Sequence, residues 1–413
     1  MLLRITIANF FSIKDEVEID FRAANIHSKQ TRELQDNVFE WNGTTVLKTI
    51  GLFGPNASGK SNIIKAVNFC CRMVLESHLH NEGAVFNFEP FKFDGCDSKP
   101  SKFRIEFVYE GVEYDYGFEL TRTAIVRESL YYYPNGRRAK IFTRDENSQP
   151  KYTFGEGVMP RPNDVALNTS TKNLFLSRAS SMNREIAQRV YRFFLERFML
   201  GMVDGADKIT EDNFTKYKAL ILKALSICDS DIMNIDLVHE TIHTNIPKLE
   251  NQSITFSPAD RDVIRFKTYH RRDASKVFDM QTEESGGTWS LFLILLNLLD
   301  VVRHNKSLML DEFDGSLHSR LSKFIIDLVH ASKNAQLLFT SHNTSLIDTK
   351  RFRRDQILFV NKKEDASTEV YSLYDYKDFR DNMDAEKAYI QGRFDAVPYI
   401  ESSVANLKSL LEE

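Results

Sequence analysis

Alternating apolar and polar positions open the chain. Leu2–Ile7 and Val17–Phe21 carry β-branched and alternating apolar residues, the pattern of a half-buried strand. The apolar run Val46–Phe53 predicts a buried strand that leads straight into a glycine-rich turn. After it, the spacing of Ile63, Ile64, Val67 and Phe69 predicts a helix over Ser61–Met73. From Phe103 to Phe142 the pattern changes to short alternating segments, with Gly111 at one turn. Asn135-Gly136, a favoured two-residue hairpin pair, lies between Leu130–Tyr133 and Ala139–Thr143. An antiparallel meander is expected there.

Residues 170 to 230 read as mostly helical, with apolar spacing in Ile186–Phe198 and Tyr217–Ile227. No heptad pattern persists, so a long coiled coil is not expected. From Asp279 onward helix and strand alternate: Trp289–Val302, Leu308–Leu310, Arg320–Ala331 and Gln336–Thr340. That alternation predicts a parallel sheet with crossover helices. Ala405–Glu413 reads as a short surface helix. The fold class expected is α/β, a mixed sheet plus an antiparallel meander around a phosphate-binding core. Three divisions result: an N-terminal lobe (1–165), a helical insertion (166–255) and a C-terminal lobe (256–413).

The chemistry begins at the turn after the third strand. Gly54-Pro55-Asn56-Ala57-Ser58-Gly59-Lys60-Ser61 fits the phosphate-loop pattern G-x-x-x-x-G-K-[ST]. Glycines let the backbone turn tightly, so that successive N–H groups point at phosphate oxygens. Lys60 brings a point charge to the β- and γ-phosphates, the Ser61 hydroxyl suits Mg²⁺, and the helix start adds a positive dipole end. Asn56, Ala57, Ser58, Gly59, Lys60, Ser61 and Asn62 are the candidate nucleotide-binding residues.

Three further motifs stand in order along the chain. Glu284-Ser285-Gly286-Gly287-Thr288 opens an apolar helix and forms a second anion cradle, although a plain helix N-cap would look the same. One chain rarely needs two cradles for one nucleotide, so Ser285, Gly286 and Gly287 are assigned to a γ-phosphate held by a partner subunit. Leu308-Met-Leu-Asp311-Glu312 ends an apolar strand in two acids, which are costly at a buried strand tip unless they hold a cation or a water. Asp311 would support Mg²⁺ and Glu312 would polarise the attacking water. The strand Gln336–Thr340 ends in Ser341-His342, where His342 can reach a γ-phosphate oxygen. Phe313–His318 comes after the acid pair, in the place of a loop that crosses between subunits.

These segments, GPNASGKSN, ESGGT, LMLDEFDGSLH and FTSHNTSLID, resemble the RecF/SMC-like branch of the ABC ATPases, as does the opening LRITIANFFSIKDEVEIDF. The stretches from Arg353 to Val360 and from Tyr389 to Pro398 are similar to the RloA-type prokaryotic ATPases. The resemblance implies an ABC-type ATPase head that hydrolyses ATP with Mg²⁺ at composite sites of a head-to-tail homodimer, or of a higher even-numbered assembly. Lys60 and Ser61 become phosphate and metal residues, Asp311 a metal-shell acid, Glu312 the catalytic base and His342 the γ-phosphate switch. It further implies a Toprim-like or other nuclease partner, a nucleic-acid or phage-derived trigger, and a role in antiphage defence. The alternative is a DNA-repair clamp that binds nucleic acid directly. In one respect the chain departs from the branch: no Gln is well placed to watch the metal, and Asn87-Phe-Glu-Pro-Phe91 occupies that region.

Composition narrows the rest. A net charge of −4 over 413 residues excludes a uniformly basic surface, so contact with nucleic acid would need a local patch. Two such clusters exist, Arg261, Arg265, Lys267, His270, Arg271, Arg272 and then Lys350, Arg351, Arg353, Arg354. The four cysteines, Cys70, Cys71, Cys96 and Cys228, have neither zinc-site nor redox spacing. The N-terminus lacks signal-peptide features, and the apolar run Leu291–Leu299 is too short to span a bilayer, so a cytoplasmic protein is expected. Asn361-Lys-Lys-Glu364 approaches a guanine-reading motif but holds Glu where Asp is required. No metal-ligand run marks a nuclease within the chain itself.

Overall fold

The computed structural model describes residues 1–200, 208–228, 230–250, 253–315, 317–380 and 383–397. The expected helix at 405–413 lies outside them. The N-terminal part contains β1 (Leu2–Ala8), β2 (Val17–Asp20), the short α1 (Lys29–Glu33), β3 (Val38–Trp41), β4 (Thr44–Leu47), β5 (Thr49–Phe53) and α2 (Lys60–Glu76). The meander comes next as β6 (Ser101–Tyr109), β7 (Val112–Leu120), β8 (Ile125–Tyr133), β9 (Ala139–Asp145) and β10 (Tyr152–Phe154). After it stand α3 (Pro162–Leu167), α4 (Phe175–Ser181), α5 (Glu185–Arg197), β11 (Phe198–Leu200) and α6 (Lys208–Ile227). Three strands then lead to the C-terminal part: β12 (Ile232–Glu250), β13 (Ser253–His270) and β14 (Asp273–Asp279). That part holds α7 (Gly286–His304), β15 (Ser307–Leu310), α8 (Ser319–His330), β16 (Gln336–Ser341), β17 (Ile357–Lys362), β18 (Thr368–Ser372) and α9 (Ala385–Ile390).

Two sheets organise the molecule. The first runs β10-β9-β8-β7-β6-β1-β2 and is antiparallel where the meander is expected. The second runs β11-β15-β16-β5-β17-β18, parallel except for β18. Strand alternation divides the second sheet between two cores. Met309, Leu338 and Leu358 face α2 and the first sheet, whereas Leu308, Leu310, Leu337 and Phe339 face α7 and α8. α2 is therefore wedged between the sheets, with Ile63, Ile64, Val67, Cys70 and Val74 buried. This is the mixed α/β head expected from the sequence, with no long coiled coil among the described residues.

The structure amends three expectations. Val46–Phe53 is two strands, because the buried Lys48 donates to the carbonyls of His330 (2.8 Å) and Ser332 (2.6 Å) and breaks the run between the β3–β4 hairpin and the parallel sheet. The part of the 166–255 insertion expected to be helical is strand from Ile232, paired with β13 from Ile232↔His270 to Glu250↔Ser253. Its β-branched positions, Ile235, Val238, Thr241, Ile242, Thr244 and Ile246, favour a pleated chain over a helix. Finally, α7 is long and apolar enough to cross a membrane by length and composition alone. Yet every side chain from Leu291 to Val301 is buried inside the protein, as a core helix requires.

The cost of emptying that core is measurable. Leu296→Ala on α7 should lower the unfolding free energy by about 2–5 kcal/mol, read from urea denaturation. A change below about 0.5 kcal/mol, typical of surface positions, would contradict this packing.

Candidate nucleotide site

Parallel pairing sends the C-terminal ends of β5, β15 and β16 to one edge of the sheet, and the segments leaving those three ends build the site. After β5 the chain enters the turn Gly54–Gly59. Gly54 has φ +158°, and a Cβ there would lie 2.0 Å from the Val360 carbonyl oxygen. At Gly59, φ +110°, a Cβ would lie 2.0 Å from Thr368 Oγ1. Any larger residue at either place would push the loop off its neighbours. Gly59 is the N-cap of α2 and no side chain caps that helix, which leaves its positive end to an anion. Ser58 Oγ is buried without a hydrogen-bond partner.

Two residues that sequence patterns do not single out hold the loop from behind. Thr368 Oγ1, on β18, donates to the Ser58 carbonyl at 2.9 Å and lies 2.7 Å from Ser12 Oγ. Ser12, in the turn after β1, also accepts from Asn62 Nδ2 at 2.8 Å. No spacing rule links Ser12 or Thr368 to the phosphate loop; the pairing of β17 with β5 and β18 brings Thr368 there, and its N–H donates to the Ser12 carbonyl at 2.7 Å.

Lys60 is only 5% exposed, and its ammonium donates to the Gly54 and Pro55 carbonyls, each at 2.8 Å. Desolvation lowers its pKa from 10.5 to about 8, although Glu312 and Asp311 oppose the shift. A buried cation held only by carbonyl oxygens favours an anion beside it. The loop, its uncapped helix and this ammonium therefore fit a nucleotide's phosphates.

Ser61 Oγ donates to Asp311 Oδ1 at 3.1 Å, so a hydroxyl from α2 and a carboxylate from the end of β15 meet where a hard cation takes oxygen ligands. Thr340, at the tip of β16, bridges the two acids: its Oγ1 donates to Asp311 Oδ1 (2.6 Å) and accepts from the Glu312 backbone N–H (2.7 Å). Glu312 has φ +47°, a left-handed backbone unusual for a side-chain-bearing residue. Its carboxylate is 62% exposed and lies 3.7 Å from His342 Nε2. Behind them Ser341 Oγ donates to Asp314 Oδ2 at 2.6 Å, tying the loop after the acid pair to β16. Burial raises the Asp314 pKa, against the lowering effect of Ser341.

Ser285, Gly286 and Gly287 stand apart from this cluster. Ser285 caps α7, its Oγ accepting from the Thr288 N–H at 3.1 Å and lying 2.8 Å from the Thr288 hydroxyl. It is exposed, and a Cβ on Gly286 would meet nothing within 4 Å. α7 runs through 19 residues before the chain turns into β15, so Ser285 stands at the end of the helix remote from that strand in sequence. Among the described residues no hydrogen bond or ion pair joins Ser285 to Lys60, Asp311, Glu312 or His342.

The segment at Asn87–Phe91 folds against the turn after β1, with Phe88 and Phe91 buried and the Glu89 carbonyl accepting from the Phe11 N–H at 2.8 Å. It makes no hydrogen bond or ion pair to Asp311 or Glu312 among the described residues. Much of the basic clusters is neutralised in place. Lys267 pairs with Glu240 and Asp279, His270 with Asp231 and Glu284, Arg351 with Asp327, and Arg353 with Asp355. Cys70 and Cys71 are free and buried, and burial pushes both thiols up.

Residues 50–348 match the family described as "AAA domain, putative AbiEii toxin, Type IV TA system". That span is more than half of the chain, and the chain belongs to this family of AAA domains. No curated protein matches it. Among solved structures it is similar to an SMC head bound to the C-terminal winged-helix domain of ScpA, at 16% identity and TM-score 0.39 over 90% of this chain and 97% of the other. The SMC head domain from Thermotoga maritima shows 15% identity and TM-score 0.39 over 90% and 98%. An Smc head with an extended coiled coil bound to the C-terminal domain of ScpA, from Pyrococcus furiosus, shows 15% and 0.41 over 95% and 98%.

The Thr340 bridge can be tested alone. Thr340→Val keeps the shape but removes the bond to a charged acceptor and the acceptor for the Glu312 N–H. ATP turnover should fall about 10- to 100-fold and stability by about 1–3 kcal/mol, with the fold kept, as measured by phosphate release and a melting curve. Turnover within twofold of wild type would show that the bridge is incidental.

Proposed function

We propose that the protein is an ATP-driven switch that binds and hydrolyses ATP at two composite sites of a head-to-tail homodimer. One observation carries this reading: a second, glycine-opened helix start, Ser285–Gly287, is exposed and unattached to the phosphate-loop cluster of its own chain. Two-fold pairing would place each such start over the partner's Lys60. Lys60 and the N–H groups of Asn56–Asn62 would bind the phosphates, and Ser285, Gly286 and Gly287 of the other copy would complete the γ-phosphate cradle. Ser61 and Asp311 are the residues to hold Mg²⁺, which when bound neutralises phosphate charge. Glu312 is the group to accept the proton of the attacking water. His342, beside it, would contact the γ-phosphate and register its loss.

The similarity of the tail to RloA-type ATPases and the toxin–antitoxin description of the family support a further step. In it the nucleotide cycle of a cytoplasmic dimer controls a Toprim-like or other nuclease in antiphage defence. Direct DNA clamping has less support, since so many of the basic side chains already have acidic partners within the chain.

Lys60→Ala should abolish tight ATP binding. Glu312→Gln should bind ATP, turn it over slowly and accumulate as a dimer with ATP and Mg²⁺, visible as a doubled mass in light scattering. A monomer mass under those conditions would sink the composite site.

Proton linkage supplies a separate check. Burial lowers the Lys60 pKa to about 8, and phosphates beside it would raise that value. ATP binding at pH 8 should therefore take up protons, and affinity should weaken as pH rises through about 8. Calorimetry in two buffers of different ionisation enthalpy reads the uptake, and identical heats would contradict it.

A further inference from the structure

The turn that carries Ser285 is fastened to the long β-hairpin at Glu284, by the Thr268 hydroxyl and the His270 imidazole. Glu284, the residue before it, accepts from Thr268 Oγ1 at 2.5 Å and lies 2.8 Å from His270 Nε2. The other ring nitrogen, His270 Nδ1, lies 2.5 Å from Asp231 Oδ1. Asp231 immediately precedes β12, and Thr268 and His270 end β13. The ring therefore spans the root of both hairpin strands and reaches the residue that starts the Ser285 turn. Phe278 of β14 packs edge-on against it, with centroids 4.8 Å apart.

Arg272, Asp273, Lys276 and Glu283 line the same cavity, of about 400 Å³. Neither cation has the geometry that His270 has, one N–H direction for each carboxylate. Two carboxylates facing two ring nitrogens demand a proton on each, which only the imidazolium carries. Burial opposes that charge, but the bonds to Asp231 and Glu284 outweigh it and hold the His270 pKa above its ordinary 6.5.

Next to this root, Phe266 of β13 packs on Phe214 of α6 and on Trp289 and Phe292 of α7. β14 reaches only Lys267–His270 of β13, and the α6 side contributes His239–Glu211 and Lys218–Asp236.

We propose that His270 is a positioning residue for the trans contact: it locks Glu284 to the hairpin root and so sets the direction in which Ser285 is offered to the nucleotide of the second copy. This rests on the head-to-tail pairing proposed above. Loss of the charge leaves Thr268 as the one side chain of the pair still holding Glu284 and loosens the Ser285 turn, while the phosphate loop of the same chain is untouched.

The test uses the full chain in the Glu312→Gln background with ATP and Mg²⁺, and follows the dimer dissociation constant by analytical ultracentrifugation from pH 6 to pH 9. The parent dimer should be tightest at low pH and weaken as pH rises through the raised pKa of His270. His270→Gln should weaken the dimer about tenfold at low pH and lose the part of the pH response that the parent shows beyond it. Lys60 titrates in both proteins and cancels from that difference. Binding of a fluorescent ATP analogue to the monomer should be unchanged. Glu284→Gln, which keeps the histidine but removes one carboxylate charge, should weaken the dimer in the same direction and guards against a misfolded His270 variant.

If the parent dimerises and both variants match its affinity and pH profile, the assignment of His270 is overturned alone. If the parent itself stays monomeric, the composite site falls and takes the assignment with it.

Discussion

A lysine ammonium held away from water by backbone carbonyls is the constraint on which the rest of this structure depends. Lys60 keeps its charge in a pocket that lowers its pKa to about 8, with Gly54 and Pro55 as its hydrogen-bond partners. Such a group is poorly satisfied until an anion arrives. The surroundings maintain that condition: glycines at two places where a Cβ would collide, and a Thr368–Ser12–Asn62 chain that holds the loop from outside. The acids Asp311 and Glu312 lie close enough to act on the same charge without bonding to it.

The sheet order explains how one edge collects this chemistry. β16 lies between β5 and β15, so its tip sits between the phosphate loop and the acid pair. Thr340 uses that position to fix both acids, and the left-handed turn at Glu312 aims a mostly exposed carboxylate outward, toward His342. An exposed acid–histidine pair at the rim of an anion pocket is suited to completion from outside. The exposed Ser285 turn, rooted on the hairpin through Glu284, Thr268 and His270, is the piece proposed to complete it from a second copy.

Much of this is legible in the sequence because short-range rules apply to it. The phosphate loop, the acid pair after an apolar strand and the glycine-opened helix each depend on adjacent residues, and period-2 alternation reveals the meander. The contact between Ser12 and Thr368 is not legible, since it joins positions more than 350 residues apart. The long hairpin escapes because the helical spacing of 170–230 invites extension past Ile232, although β-branched residues recur there. The apolar run of α7 reads as too short because Asn297 interrupts it; buried, that side chain simply donates to the Leu293 carbonyl at 3.0 Å and the helix continues.

Complementation between two inactive variants addresses the central idea most directly. Lys60→Ala lacks one half of the pocket and Ser285→Arg the other, so each alone should be inactive. Mixed in equal amounts, about half of the dimers are heterodimers in which one of the two sites is intact, and ATP turnover should recover to about a quarter of the wild-type rate under two-fold pairing. No recovery from two folded variants, or full activity of Ser285→Arg by itself, would mean that each chain hydrolyses ATP without its twin.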